Sequence, residues 1–308
     1  MKSSDLSGVT VATILPFDES GAIDWPSYAR VLEHCAVPDT IAAVFVNGHA
    51  GEATSLDAEE RVAVIRRTRE IIGSKPLLAG VVPLGVYDAI AQAREAEAAG
   101  ADAIVIFPPA ALGGGAASTA APVEFCAAVT AAVSIPASVF QFPLASGLGY
   151  STQTLVDIAK LPKVIAVKEG SNTMLAYEEN FRALRREAPD VAMLPSNFDW
   201  FLPQLAVGAD GLLSGLASLA PTELHALWDA AARVDLAAMR TASDALHPLV
   251  RTVYGAAPIV DMHTRIKVAL EALGIITCAR PRLPLMAVTP AVADTVRRTV
   301  RAHMGDLA

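Results

Sequence analysis

The chain has 308 residues, 53% of them apolar and only 6% aromatic, with a formal charge of -8 at neutral pH. That size admits two average domains or one large α/β barrel, and the acidic balance excludes the basic face that nucleic-acid binding requires. Three widely spaced cysteines, Cys35, Cys126 and Cys278, exclude a disulfide framework and a zinc-ligand spacing, and fit a reduced cytoplasmic protein.

Met1-Lys2-Ser3-Ser4-Asp5 leads into no apolar signal core. Strand-like apolar runs then alternate with helical patterns. The predicted strands cover residues 9–15, 41–47, 76–82, 103–107, 137–141, 164–168, 191–195 and 211–214. Between them, helices are predicted over 25–36, 58–72, 87–99, 122–133, 152–160, 173–187 and 200–207. Asp24 reads as the cap of the first, with Pro26 in the first turn where its missing N–H is harmless. Asp57 or Ser55 caps the second. The charge-free stretch from Phe125 to Val156 is broken by Pro136, Pro143, Gly147 and Gly149, and reads as interior rather than a membrane span.

Eight strands alternating with helices predict a parallel sheet, and eight is the number that closes a (β/α)8 TIM barrel. A doubly wound open sheet wants a glycine-rich turn after the first strand, and Pro16-Phe17-Asp18 is not one. Further helices are predicted over 223–234, 236–254, 264–273 and 292–304. The expected organisation is therefore a barrel over 1–220, with the last barrel helix and a helical C-terminal extension over 221–308, as one structural unit. Gly113-Gly114-Gly115 reads as a loop, since no glycine-lysine-serine pattern follows it.

Barrel active sites form at the C-terminal ends of the strands. Those ends carry Asn47-Gly48-His49-Ala50-Gly51-Glu52, Phe140-Gln141-Phe142-Pro143, Lys168-Glu169-Gly170-Ser171, Ser196-Asn197-Phe198-Asp199 and Ser214-Gly215. Lys168 closes the buried run Val164-Ile165-Ala166-Val167. A lysine there is costly to desolvate, loses its proton readily, and becomes an amine able to attack a carbonyl carbon. Phe140 and Phe142 alternate, so only one of them is expected to line the pocket. Histidines 34, 225, 247, 263 and 303 fall in helical segments without paired spacing, so they read as ordinary surface or core residues and no zinc site is expected.

The order of these motifs resembles the dihydrodipicolinate synthase/N-acetylneuraminate lyase family. Gly48-x-x-Gly51-Glu52, the turn at Pro143 and Lys168-Glu169 carry the likeness. Leu15-Pro16-Phe17, Gly100-Ala101-Asp102, Pro108-Pro109 and Gly208-Ala209-Asp210-Gly211 support it over residues 7–275. The resemblance implies a homotetrameric barrel, free of cofactor and metal, that binds pyruvate or another 2-oxo acid. Lys168 would form the Schiff base, and the backbone N–H groups of His49 and Ala50 would receive the carboxylate. Gly48, Phe140, Gln141, Asn197, Ser214 and Gly215 are the further substrate-binding candidates. The alanine-rich loop at 110–121 would reach a neighbouring subunit.

The departures from that family are as informative. His49 and Ala50 replace its two threonines, and Phe140 replaces the tyrosine that relays protons. Ala110-Ala111 replace a tyrosine pair, and the arginine of the synthases falls near Ala145. A phenylalanine cannot carry a proton, so dihydrodipicolinate synthesis is not expected. Phe140, Ala110, Ala111 and Ala145 suggest a less polar pocket. His49 is either the replacement acid/base or a neutral ring bonded to loop backbone. Glu52 reads as a structural acceptor of loop amides, and Asp199 as a helix cap. The leading reading is an aldolase or dehydratase working through an imine on Lys168. The alternative is a degraded barrel that binds a small metabolite without turnover. A nicotinamide enzyme lacks its fingerprint.

Overall fold

The computed structural model describes residues 1–114, 119–196 and 201–305. Its eight strands are β1 (Val9–Ala12), β2 (Ile41–Val46), β3 (Leu77–Val81), β4 (Ala103–Ile106), β5 (Ala137–Gln141), β6 (Val164–Glu169), β7 (Ala192–Pro195) and β8 (Leu212–Ser214). Each of β1 to β6 pairs in parallel with its successor, and β8 returns to pair with β1. The sheet therefore curls into a barrel that lacks a ladder, among the described residues, only at the seam between β7 and β8. Helices cover one side of every strand and barrel contents cover the other, which is why these segments are runs of Val, Ile, Leu and Ala rather than alternating patterns.

The helices are α1 (Trp25–Cys35), α2 (Ala58–Ile72), α3 (Val86–Ala98), α4 (Ala120–Ala131), α5 (Thr152–Ala159), α6 (Met174–Glu187), α7 (Phe201–Val207) and α8 (Pro221–Ala232). Their starts follow the sequence chemistry. Asp24 accepts from Ser27 N at 3.0 Å with Pro26 in the first turn. Asp57, rather than Ser55, caps α2 in a reciprocal box with Glu60. Ser151 and Thr173 do the same duty for α5 and α6.

The extension adds α9 (Leu236–Leu249), α10 (Met262–Ala272) and α11 (Pro290–Met304). The helix expected to run on to Tyr254 leaves α geometry at Leu249 and continues as a wider π turn over Val250–Tyr254. Pro248 explains the break. It has no N–H to offer the preceding turn, and the freed carbonyls allow looser pairing. That turn delivers Tyr254 to the mouth of the barrel. No helix among the described residues is long and apolar enough to cross a membrane.

Candidate active site

The side-chain period of two along β6 separates neighbours with different tasks. Lys168 points into the barrel, and Glu169 points out toward α6. There Glu169 Oε1 accepts from Ser171 N at 3.1 Å and Asn180 Nδ2 at 3.2 Å, pinning the turn that follows the strand. Burial raises its pKa, against those hydrogen bonds.

Lys168 is 9% exposed and pairs in register with Phe140 on β5. Its Nζ lies 3.2 Å from the centroid of the Phe140 ring and donates to Ser196 Oγ at 3.3 Å. Burial drives the Lys168 pKa well below the ordinary lysine range, and the nearby Glu169 charge offsets only part of this. Ser196 Oγ in turn donates to Glu169 O at 3.1 Å, so the serine is held in place by β6 itself.

Above Lys168 opens a cavity of about 410 Å³, within the size range of small-molecule sites. Its walls include His49, Ala50, Phe107, Phe140, Phe142, Ser196, Gly215, Tyr254 and His263. A wider depression of about 740 Å³ lies on the outer shell, lined by Trp25, Val62, Arg66, Glu70 and Glu95. It lies against α1, α2 and α3 and brings no nucleophile and base together.

His49 packs edge-on to Phe107 at 5.1 Å and stacks on Phe142 at 5.5 Å. The residue is exposed at the cavity, with its imidazole resting against the Phe107, Phe140 and Phe142 rings. Desolvation first, and the Lys168 charge second, push its pKa down to about 4, so the ring is neutral at physiological pH. Neither its ring nitrogens nor the backbone N–H groups of His49 and Ala50 have a hydrogen-bond partner among the described residues. The turn carrying them is built tightly. A side chain at Gly80 on β3 would put its Cβ 1.9 Å from Asn47 O, so glycine there is a condition for the loop's position.

The remaining candidates divide. Gly215 lines the cavity, and its N–H donates to the Tyr254 hydroxyl at 3.3 Å. Gly48 contributes backbone only, its Cα packed on the Phe45 ring. Gln141 points away from the cavity. Its amide is spent on Tyr150, donating to O at 2.8 Å and accepting from N at 3.0 Å. Ser214 is buried and accepts from Leu216 N at 3.1 Å. Gln141 is fixed by these backbone bonds and Ser214 also bonds the Tyr254 side chain, contacts that a sequence cannot display. Asn197 and Asp199 lie outside the described residues. Glu52 does accept a loop amide, from Arg282 at 2.8 Å, but its main partner is the Lys267 ammonium.

Three expectations are corrected. Phe140 and Phe142 both line the cavity, with rings 4.4 Å apart, because β5 ends at Gln141 and the alternation ends with it. Ala110, Ala111 and Ala145 are exposed and do not line it, so the apolar character comes from the phenylalanines. His263 is no ordinary helical residue. It enters the cavity from the first turn of α10, where burial, with the charges of His49 and Lys168 behind it, pushes its pKa to about 3.

No sequence pattern marks Tyr254 or His263 as cavity residues, because only tertiary packing brings the extension over the barrel. Ser196 was legible, being the first residue after β7. Among the described residues no group of three or more His, Cys, Asp or Glu is placed to hold a metal ion.

The model of the dihydrodipicolinate synthetase family matches residues 5–303. The chain is 28% identical over 297 residues to a 4-hydroxy-tetrahydrodipicolinate synthase of Pseudomonas aeruginosa, covering 96% of this chain and 98% of that protein. It is 29% identical over 300 residues to the enzyme of the same name from Exiguobacterium sibiricum, covering 97% and 98%. Among solved structures, the dihydrodipicolinate synthase of Thermotoga maritima superposes with a TM-score of 0.88 at 22% identity, covering 97% of this chain and 99% of that one. A prophage protein of the same family from E. coli K12, solved in complex with pyruvate, superposes with a TM-score of 0.87 at 21% identity, covering 97% and 98%.

Proposed function

The chain belongs to the dihydrodipicolinate synthetase family, and from that premise we propose that it is a lyase working through a Schiff base between Lys168 and a 2-oxo acid such as pyruvate. The observation that carries the reading is the Lys168 amine itself, buried, with its pKa held well below the ordinary lysine range by desolvation, and facing a cavity. A neutral amine adds to the C2 carbonyl, water leaves, and the resulting iminium withdraws electrons from the neighbouring carbon. That acidified carbon supports either aldol cleavage and its reverse, or loss of a β-hydroxyl as water. The iminium is the electron sink, so the chemistry calls for no separate cofactor.

The unpartnered N–H groups of His49 and Ala50 are suited to the substrate carboxylate, as backbone donors at a turn are to anions. Ser196, bonded to both Lys168 and the β6 backbone, holds the amine in position. His49 is the candidate proton carrier, its free imidazole facing the same cavity. Because Phe140 stands where the family's relay needs a hydroxyl, under this reading the protein is not an efficient dihydrodipicolinate synthase. Free buried thiols at Cys35 and Cys126 support a reduced, cytoplasmic setting. A homotetramer is part of the same reading. Light scattering at micromolar concentration tests it, and a monomeric mass would refute it.

Borohydride in the presence of pyruvate should add the mass of the reduced adduct to the wild type and not to Lys168→Ala. An adduct on a different lysine, or none across a panel of 2-oxo acids, would leave the binding-only barrel as the better reading.

A further inference from the structure

Four of the chain's nine phenylalanines converge on this one cavity, enough to make a built wall rather than scattered apolar lining. Phe45, Phe107, Phe140 and Phe142 come from β2 and from the ends of β4 and β5. Phe107 meets Phe140 edge-on at 5.1 Å, and Phe45 lies 6.4 Å from Phe107. Such edge-to-face clusters present faces and edges on which a further ring packs well.

Across the mouth, the side formed by β1, β8 and the extension offers Tyr254, Ile259, Met262 and His263. The His263 ring nitrogens have no hydrogen-bond partner among the described residues. A Cβ on Gly215 would lie 3.3 Å from its Nε2 and 3.4 Å from the Tyr254 hydroxyl, so the glycine leaves room for both groups at the wall.

Charge narrows the choice. Lys168 is the cavity's single Lys or Arg among the described residues, and residues 115–118, 197–200 and 306–308 include neither type. Once Lys168 is committed to the imine, a second carboxylate would sit against rings with no counter-charge from this chain, at high desolvation cost. A polyhydroxylated chain would leave most of its hydroxyls unbonded on the same wall.

We propose that the site takes 2-oxo acids whose distal end is an uncharged aromatic ring, packed on the phenylalanine wall, with His263 hydrogen-bonding a hydroxyl on that ring. The inference rests on the imine reading of Lys168. In the covalent step, C2=Nζ forms while the carbonyl oxygen leaves as water, carrying one amine hydrogen and one proton taken up from solvent, and the nitrogen keeps its other hydrogen as the iminium. The ring itself takes no part in the bond changes.

The test is borohydride trapping read by intact mass, over a concentration series of pyruvate, phenylpyruvate, hydroxyphenylpyruvate and 2-oxoglutarate. In the wild type, phenylpyruvate should half-saturate at a concentration roughly tenfold below that of 2-oxoglutarate, the discrimination expected of an apolar pocket. Hydroxyphenylpyruvate should trap at lower concentration still. His263→Leu should erase that hydroxyl advantage and His263→Gln should retain part of it, with pyruvate trapping reporting that each variant is folded. Trapping of 2-oxoglutarate as readily as phenylpyruvate would overturn the proposal, as would a hydroxyl advantage that survives in His263→Leu. Pyruvate adducts without any aromatic adduct would sink the aromatic assignment and leave the imine intact. Absence of every adduct would remove both.

Discussion

Glu52 and Lys267 form an ion pair across the junction between the β2 loop and α10, with neither side chain more than 1% exposed. Lys267 also donates to Arg280 O at 3.2 Å and lies 4.3 Å from the Phe17 ring centroid, with the Arg282 guanidinium at 4.3 Å from the same ring. The pair therefore ties the turn that carries His49 and Ala50 to the extension that carries His263.

Removing one partner strands the other as a buried charge. Glu52→Gln should cost about 3–5 kcal/mol of folding stability, measured by urea denaturation, and should also raise the 2-oxo acid concentration needed for trapping. The double variant Glu52→Gln with Lys267→Met should lose much less than the sum of the single losses. A single-variant loss below roughly 1 kcal/mol would mark the pair as dispensable, since that is the scale of an exposed ion pair.

Lys168 should be a stability liability. Its folded pKa lies below its unfolded value, so between the two the unfolded chain binds more protons and stability rises with pH. At neutral pH the native state thus bears an unfavourable burial contribution. Lys168→Met should raise stability by the order of 1 kcal/mol at pH 7 while abolishing the adduct. The gain should shrink as pH rises toward the ordinary lysine value of about 10.4 and stay flat above it. A Met variant that is less stable than wild type at neutral pH would contradict the buried-amine account.

His49→Ala should lower turnover by roughly 100- to 10,000-fold, while trapping persists at a slower rate. With the imidazole neutral above about 4, no rate inflection belonging to His49 should appear near its ordinary value of about 6.5. Turnover should instead fall as pH drops toward 4 and the ring takes up a proton. Equal losses in trapping and turnover would assign His49 to the loop's architecture instead.

A coupled assay with pyruvate and aspartate semialdehyde should register little turnover, at least about hundredfold below a relay-bearing enzyme. Phe140→Tyr would place a hydroxyl on the ring that faces Lys168. Family-level rates in the wild type would refute the argument from the missing relay.

The barrel was legible because doubly buried parallel strands impose a simple pattern, short apolar runs between capped helices. Lys168, His49, Ala50, Phe140 and Gly215 were legible because they terminate those runs. What stayed hidden depends on longer-range packing. Gln141 and Ser214 occupy strand ends like the others, but Gln141 is spent on the Tyr150 backbone and Ser214 on Leu216 N–H and the Tyr254 side chain. Phe142 joined the wall because a strand ended one residue before it. His263 and Tyr254 reach the mouth through a π turn and a helix far along the chain, where no periodicity points to a barrel strand.

The nucleophile and part of the wall facing it thus reside in separate stretches of sequence. Lys168 is fixed by β6 and its neighbours, whereas Tyr254, Ile259, Met262 and His263 occupy a ten-residue segment outside the barrel. Selection acting on that segment can exchange one substrate tail for another without disturbing the residues that make the covalent bond. Grafting residues 254–263 between relatives becomes a route to new specificity, and trimming the chain before them would remove Tyr254, Ile259, Met262 and His263 from the cavity wall together with α10 and α11.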